Sequence, residues 1–158
     1  VQIIILPLAH SIAKGNVMEY PQLKLENQLC HRLYMASNRI IRNYREPLEL
    51  LDLTYPQYIV MMALWENDGI SIAELLEKTS IDGGAMTQIL KKMTDKSLLS
   101  IVKDEDDKRK RIIKLETHGA ELRHKAADIP DKIKCSFAHM TEQEAQQLIE
   151  LLDKVNQG

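Results

Sequence analysis

The sequence predicts a mainly α-helical domain that carries one small β-hairpin, and three observations lead there. Ser71-Ile-Ala-Glu74, Thr54-Tyr-Pro-Gln57 and Thr141-Glu-Gln-Glu144 have capping-box spacing, and each opens a run of apolar residues at helical spacing. Leu98–Val102 and Arg111–Leu115 flank the charged segment Lys103–Lys110, which is the pattern of two strands and a turn. Aromatic residues make up only 4% and charged residues 28% of the chain, a balance typical of soluble helical proteins.

The elements follow in order. The opening Val1–Ala9 is apolar but short, is interrupted by Pro7 and has no basic residue before it, so it fails as an export signal. Met18 stands just before a stretch that resembles a protein start, so residues 1–17 are expected to be an upstream extension or a cloning remnant. Burial of Ile3 to Leu8 against the body would contradict that. Residues from about Leu23 to Tyr44 should form a long helix with Leu29, Leu33, Ala36, Ile40 and Ile41 as its buried stripe. Pro47 and Leu48–Leu53 make the transition to a helix capped by Thr54, with Pro56 in the first turn, where its missing amide costs little. That helix, through Ile59, Met62, Leu64 and Trp65, is mostly apolar and belongs in the core until Asn67-Asp-Gly69 closes it.

Ser71 then caps a short amphipathic helix carrying Ile72, Leu75 and Leu76. Ile81-Asp82-Gly83-Gly84 interrupts the pattern, and Asp82 is a good N-cap for a second helix with Met86, Ile89, Leu90 and Met93 on its apolar face. The opposite face presents Thr87, Gln88, Lys91 and Lys92. After the hairpin, a helix should start near Thr117 and run past Cys135 with a kink at Pro130. The helix opened by Thr141 has Leu148, Leu151, Leu152 and Val155 as its apolar face.

Two helices joined by a tight turn, the second polar and basic outside, followed by a basic hairpin, form the pattern of a winged helix-turn-helix for double-stranded DNA. The formal charge of −2 excludes a globally basic nucleic-acid binder, yet Lys91, Lys92, Lys96, Lys103, Lys108, Arg109, Lys110, Arg111 and Lys114 crowd one part of the chain. Gly83 and Gly84 allow the backbone close to phosphate at a helix start. Thr87 and Gln88 can reach base edges, while Lys91 and Lys92 suit phosphates. Arg109 sits at the tip of the wing, placed for a minor groove, and Asp107 can brace it. Singly, each of these is better explained as solvated charged surface; the ordered combination is far more specific.

Residues 18–158 therefore form one regulator-like domain, with a DNA-binding lobe over about 54–115 and outer helices over about 23–47 and 117–157. The apolar stripes of those outer helices exceed what one small lobe covers, so a homodimer through the N- and C-terminal helices is expected. The alternative is a monomer whose terminal helices pack on each other. No run is long enough to span a bilayer, and no metal, cofactor or catalytic constellation stands out. With no export signal, a cytoplasmic protein with reduced thiols is expected.

Cys30 lies in the early turns of the first long helix, where backbone amides and the helix dipole favour a thiolate. A thiolate attacks peroxides to give a sulfenic acid, which a second thiol can trap as a disulfide. Tyr34, Tyr44, Tyr55 and Tyr58 cluster in this region of the sequence, and a phenol can donate a hydrogen bond to a thiolate. By residue type alone, a cysteine on an apolar helix is most often a small core residue.

Asp107-Lys-Arg109, followed by Ile113-Lys-Leu115 and Gly119, resembles the wing signature of MarR-type transcriptional regulators, and the resemblance extends from Leu25 to the C-terminus. It implies a dimeric winged-helix repressor whose terminal helices form the dimer interface. Glu116 departs from the Thr usual there, so Thr117 is expected to take over the helix cap one residue late. Leu25-Glu-Asn-Gln-Leu-Cys30, Tyr44, Leu53-Thr-Tyr-Pro-Gln-Tyr58 and Ala127-Asp-Ile-Pro130 resemble the organic-hydroperoxide-sensing, OhrR-type branch. That resemblance implies Cys30 as peroxidatic sensor, Tyr44 and Tyr55 of the partner subunit as hydrogen-bond donors to its sulfur, and Tyr34 as part of an apolar pocket. Cys135 is similar in position to the resolving cysteine of two-cysteine members, which implies an intersubunit Cys30–Cys135 disulfide and release of operator DNA on oxidation. By analogy the controlled gene would be a detoxifying peroxidase. Two other readings remain open: a repressor induced by a small apolar or phenolic ligand with both cysteines inert, and a thiol peroxidase using Cys30. Nothing in the sequence resembles a peroxidase fold.

Overall fold

A computed structural model of the chain describes residues 20–157, so the expectation for residues 1–17, with its check at Ile3 to Leu8, lies outside the described residues. Two 3-10 turns, Pro21–Leu23 and Leu25–Asn27, precede α1 (Leu29–Glu49). Then come α2 (Tyr55–Glu66), α3 (Ile72–Thr79), α4 (Gly83–Asp95), β1 (Leu99–Lys103) and β2 (Arg111–Leu115). The chain continues through α5 (Thr117–Ala126), α6 (Ile129–Lys134), a 3-10 turn (Cys135–Phe137) and α7 (Glu142–Asn156). This is a mainly helical winged helix-turn-helix with a two-stranded antiparallel wing, as expected. The chain divides into two compact units between Arg42 and Asn43, within α1.

In the first unit, α1 begins at Leu29 rather than near Leu23. Side-chain amides compete for the preceding backbone: Asn27 Nδ2 donates to Pro21 O at 3.0 Å, and Gln28 Nε2 donates to Gln22 O. Arg32 N–H closes the first α-helical turn on Gln28 O. The expected stripe is not buried within the single chain: Leu29 is 64% and Ile41 39% exposed, Ala36 is exposed, and Leu33 and Ile40 are half-buried.

In the second unit, α1 runs through Pro47 to Glu49 instead of stopping before it. Pro47 lies in the last turn, where its missing N–H removes a single ladder bond at the helix end. Leu48 is fully buried and its carbonyl accepts from both Leu51 N–H and Leu53 N–H, turning the chain into α2. Thr54 N–H donates to Gln57 Oε1 at 3.0 Å, which opens α2 and satisfies the buried Gln57 side chain. The buried residues of α2 are Gln57, Tyr58, Val60, Met61, Ala63 and Leu64. Ile59 and Trp65 are half-buried and Met62 is exposed, because α2 is apolar nearly all round and its sequence does not mark which side faces inward.

Leu75, Met86, Leu90, Met93, Leu98, Leu99 and Ile113 complete the core of the lobe, and Leu122, Ile129 and Ile133 extend it under α5 and α6. The strands pair from Leu99 with Leu115 to Lys103 with Arg111. Ile113 N–H also donates to Ile70 O at 2.9 Å, and Ser71 bridges Ile112, so the segment before α3 flanks the hairpin. Asp68 Oδ1 accepts from Leu115 N–H at 2.9 Å and from Gly69 N–H at 2.8 Å, tying the end of β2 to the α2–α3 turn.

The helix after the wing does not run past Cys135. It breaks at Ala127–Asp128, with Pro130 as the second residue of α6, where a missing N–H costs little; Cys135 sits in the following 3-10 turn. Glu116 itself is the N-cap of α5, without a side-chain cap bond, and Thr117 is the first helical residue, so the expected cap at Thr117 does not form. Thr141 and Glu144 make the expected capping box of α7. Among its apolar residues, Leu152 is half-buried, whereas Leu148, Leu151 and Val155 remain exposed in the single chain.

Candidate DNA-reading face and cysteine–tyrosine site

The α3–α4 turn is built by two local caps. Ser71 Oγ accepts from Glu74 N–H at 3.2 Å while Glu74 Oε2 accepts from Ser71 N–H at 2.8 Å. The same Ser71 contacts hold the Glu74 carboxyl below its ordinary value. Asp82 Oδ1 accepts from Gly84 N–H at 2.8 Å and Ala85 N–H at 3.2 Å, starting α4 at Gly83. Those two amides are thereby occupied, and an aspartate stands at the helix start; the helix N-terminus is less open to phosphate than the Gly83-Gly84 pair suggests.

Met86, Leu90 and Met93 pin α4 to the core, which leaves Thr87, Gln88, Lys91 and Lys92 exposed. Thr87 Oγ1 donates to Gly83 O at 2.9 Å, so its oxygen lone pairs and methyl remain for an outside partner. Lys96, past the end of α4, is instead engaged with Asp52: its Nζ lies 2.9 Å from Asp52 Oδ2 and also donates to Asp52 O.

The wing turn is organised by an aspartate that the sequence reading did not single out. Asp104 Oδ1 accepts from Asp106 N–H at 3.0 Å and Asp107 N–H at 2.7 Å, and these backbone bonds hold its carboxyl below the ordinary range. Asp107 Oδ1 accepts from both the backbone N–H and the Nε–H of Arg109 at 3.1 Å, while the Arg109 side chain stays 93% exposed. The arginine is thus oriented by its neighbour and still free to reach outward. The spacing of Asp104 from Asp106 and Asp107, an Asx-turn pattern, was the available signal for the missed residue.

Cys30 is the second residue of α1, in its first turn, and its side chain is exposed. Tyr34 lies one turn further along α1 and is 67% exposed. Cys135 is also exposed, in the turn after α6. Its neighbour Ser136 is held by Asn43 Nδ2, which donates to Ser136 Oγ at 2.7 Å.

The second unit brings together residues that lie far apart on the chain. The rings of Tyr44 and Tyr55 are 4.8 Å apart between centroids, and Tyr58 lies 5.9 Å from Tyr44. Tyr58 meets Trp65 edge-on at 6.1 Å, and Trp65 Nε1–H donates to Gly119 O at 2.9 Å. Burial, and then the neighbouring Tyr55, push the Tyr44 phenol up from its ordinary value; burial chiefly does the same for Tyr58. Both phenols therefore stay protonated and able to donate at neutral pH. The sequence groups these tyrosines but does not show that Tyr58 and Trp65 continue the cluster toward α5. Among the described residues, no group of three or more His, Cys, Asp or Glu is placed to hold a metal ion, and no helix is long and apolar enough to cross a membrane.

A family model described as the MarR family matches residues 51–110. The organic hydroperoxide resistance transcriptional regulator of Bacillus subtilis is 37% identical over 115 residues, covering 73% of this chain and 78% of that protein. The HTH-type transcriptional regulator SarZ of Staphylococcus aureus is 34% identical over 125 residues, covering 79% of this chain and 84% of that protein. The reduced form of MarR from E. coli matches with a TM-score of 0.66 and 28% identity, over 81% of this chain and 96% of that one. Reduced AbfR bound to DNA shares the fold at a TM-score of 0.71 and 24% identity, over 89% of this chain and 97% of that one. On these relatives and on its own winged helix-turn-helix, the chain belongs to the MarR family, whose members are DNA-binding transcriptional regulators rather than enzymes.

Proposed function

We propose that this MarR-family regulator is a homodimeric, cytoplasmic repressor that releases its operator when an organic hydroperoxide oxidises Cys30. The observation that carries this reading is an exposed thiol in the first turn of α1, open to a peroxide and at the end of a helix where the dipole favours negative charge. The likeness to the hydroperoxide-resistance regulator of Bacillus subtilis supports it, as does the contact between the Tyr44 and Tyr55 rings, with the Tyr44 phenol pushed up by burial and so able to donate. In the reduced dimer, Tyr44 and Tyr55 of the partner subunit donate to the Cys30 thiolate, and Tyr34 helps line the apolar approach.

The thiolate attacks the distal peroxide oxygen, the O–O bond breaks, and the alkoxide takes a proton to leave as an alcohol. Cys30 becomes a sulfenic acid. The Cys135 thiol of the other subunit then attacks that sulfur, forming a disulfide and releasing water. The link pulls the terminal helices into a new arrangement, and the two lobes leave operator register. On DNA, Thr87 and Gln88 face base edges, Lys91 and Lys92 face phosphates, the Gly83 end of α4 approaches the backbone, and Arg109, braced by Asp107, enters the minor groove.

The test is binding to operator-length duplex at fixed salt, before and after stoichiometric cumene hydroperoxide. Wild type is expected to lose affinity by more than about tenfold, and Cys30→Ser to keep it. Equal retention by both proteins would remove the redox reading and favour a non-covalent apolar or phenolic inducer. A peroxide-induced intersubunit crosslink that survives in Cys135→Ser would remove Cys135 as the resolving thiol.

A further inference from the structure

We propose that Trp65 is the positioning residue through which the tyrosine cluster holds the recognition helix and the wing in their DNA-binding arrangement. The proposal rests on the peroxide-switch reading above and adds how the sensor phenols reach the DNA-reading elements. Aromatic contacts run from Tyr44 and Tyr55, 4.8 Å apart, through Tyr58, 5.9 Å from Tyr44, to Trp65 at 6.1 Å. There the contact changes character. The indole N–H is a donor with no alternative role, and it fixes Gly119 O at 2.9 Å, joining α2 to α5.

Gly119 is seated on Leu98 with no room to spare: a Cβ at residue 119 would lie 2.0 Å from the Leu98 carbonyl oxygen. Leu98 is a joint between three elements. Its N–H donates to Met93 O in the last turn of α4 at 3.0 Å, its carbonyl accepts from Glu116 N–H at the start of α5 at 3.0 Å, and β1 begins at the next residue. The ring that ends the tyrosine cluster is therefore bonded to the backbone that seats the recognition helix, the wing and α5 against one another. A close-packed joint of this kind shifts between discrete seatings rather than deforming smoothly. Loss of the phenols' bonds to Cys30 moves Tyr58 and Trp65, the indole releases Gly119, and α5 changes its seat on Leu98.

The chain contains a single tryptophan, so indole emission reports on this residue alone. In full-length wild type, peroxide is expected to shift that emission in step with loss of DNA binding, and Cys30→Ser to show neither change. Trp65→Phe keeps a ring and removes the donor. It should oxidise Cys30, read by mass spectrometry, at the wild-type rate. Reduced Trp65→Phe should bind DNA about fivefold more weakly than wild type, the worth of one lost hydrogen bond. Peroxide should then weaken it by less than about threefold further, against about tenfold or more for wild type. A residue with only a structural role would lower stability and leave the peroxide ratio unchanged. A wild-type ratio in Trp65→Phe overturns the coupling alone. Unshifted indole emission in wild type that releases DNA also overturns it, and decides the matter if Trp65→Phe does not fold. Wild type that keeps its DNA after peroxide removes the switch reading and this inference together.

Discussion

The lobe from α2 to β2 and the two ends of the chain place their large apolar residues in opposite ways. In the lobe, Leu75, Met93 and Ile113 have no exposed surface, and polar side chains such as Gln57, Asp68 and Asp82 close the turns around them. At the ends, Leu29 in α1 and Leu151 and Val155 in α7 keep 64%, 57% and 57% of their surface open. The lobe is complete as one chain. The ends carry apolar surface of the kind that a partner covers, which is what the proposed homodimer requires.

The sharpest way to break the lobe is at its joint. Gly119→Ala drives a Cβ into the Leu98 carbonyl, and neither backbone can move without unseating α5 or β1. The expected cost is about 4 kcal/mol or outright loss of folded protein, measured by urea unfolding. Gly83→Ala is the control: a Cβ there meets nothing within 4 Å, and stability should rise slightly or stay unchanged. Equal costs at the two glycines would contradict the seating of α5 on Leu98.

Core truncation separates the two regions next. Met93→Ala should cost about 3 kcal/mol of folding stability, since the side chain is fully enclosed. Leu151→Lys should leave the unfolding of the lobe within about 0.5 kcal/mol of wild type. Its effect should appear instead in sedimentation, as loss of self-association. A lobe destabilised as strongly by Leu151→Lys as by Met93→Ala would show that the α7 face packs within one chain.

The contrast also explains what the sequence made legible. Each helix of the lobe has a chemical start signal of its own, such as the Ser71–Glu74 box and the Asp82 cap, and these caps form. Where the outcome depends on competition or on tertiary seating, the sequence was less informative. The start of α1 was displaced because Asn27 and Gln28 amides capture nearby carbonyls. The inward side of α2 is not marked in the sequence, because apolar residues surround that helix and leave its orientation to its neighbours. Pro47 looked like a boundary, yet near a helix end it removes little. The tyrosines stand out as a group by residue type and spacing, whereas Cys30 is by residue type an ordinary helix cysteine and is singled out only by the resemblance to the OhrR-type branch. The Tyr58–Trp65–Gly119 connection has no such signal, since it joins positions 54 residues apart through one indole N–H.

Smaller effects should follow from the caps. Ser71→Ala should cost about 1 kcal/mol in the lobe, by removing the acceptor for Glu74 N–H. The corresponding carboxylates then compare the two regions by pH. Glu74 is held below its ordinary value by the Ser71 side chain first and the Ser71 backbone second; Glu144 is held down by Thr141 in the same two ways, backbone first. A carboxyl depressed in the folded state contributes stability that is present above its unfolded value, near 4.5, and is lost as pH falls through the lower folded value. The two boxes have nearly the same geometry, with 2.8 Å from the carboxylate to the cap N–H in each. Their consequences should still differ. α3 carries the fully buried Leu75, so its box is tied to unfolding of the whole lobe, whereas α7 contains no buried residue. Between pH 6 and pH 3, the melting temperature of Glu74→Gln should fall less steeply than that of wild type. At protein concentrations that dissociate the dimer, Glu144→Gln should follow the wild-type melting curve and differ only in helical circular dichroism, as the uncovered α7 frays alone. If Glu144→Gln alters the melting transition as much as Glu74→Gln does, α7 unfolds with the lobe, and its exposed face is already part of a cooperative core.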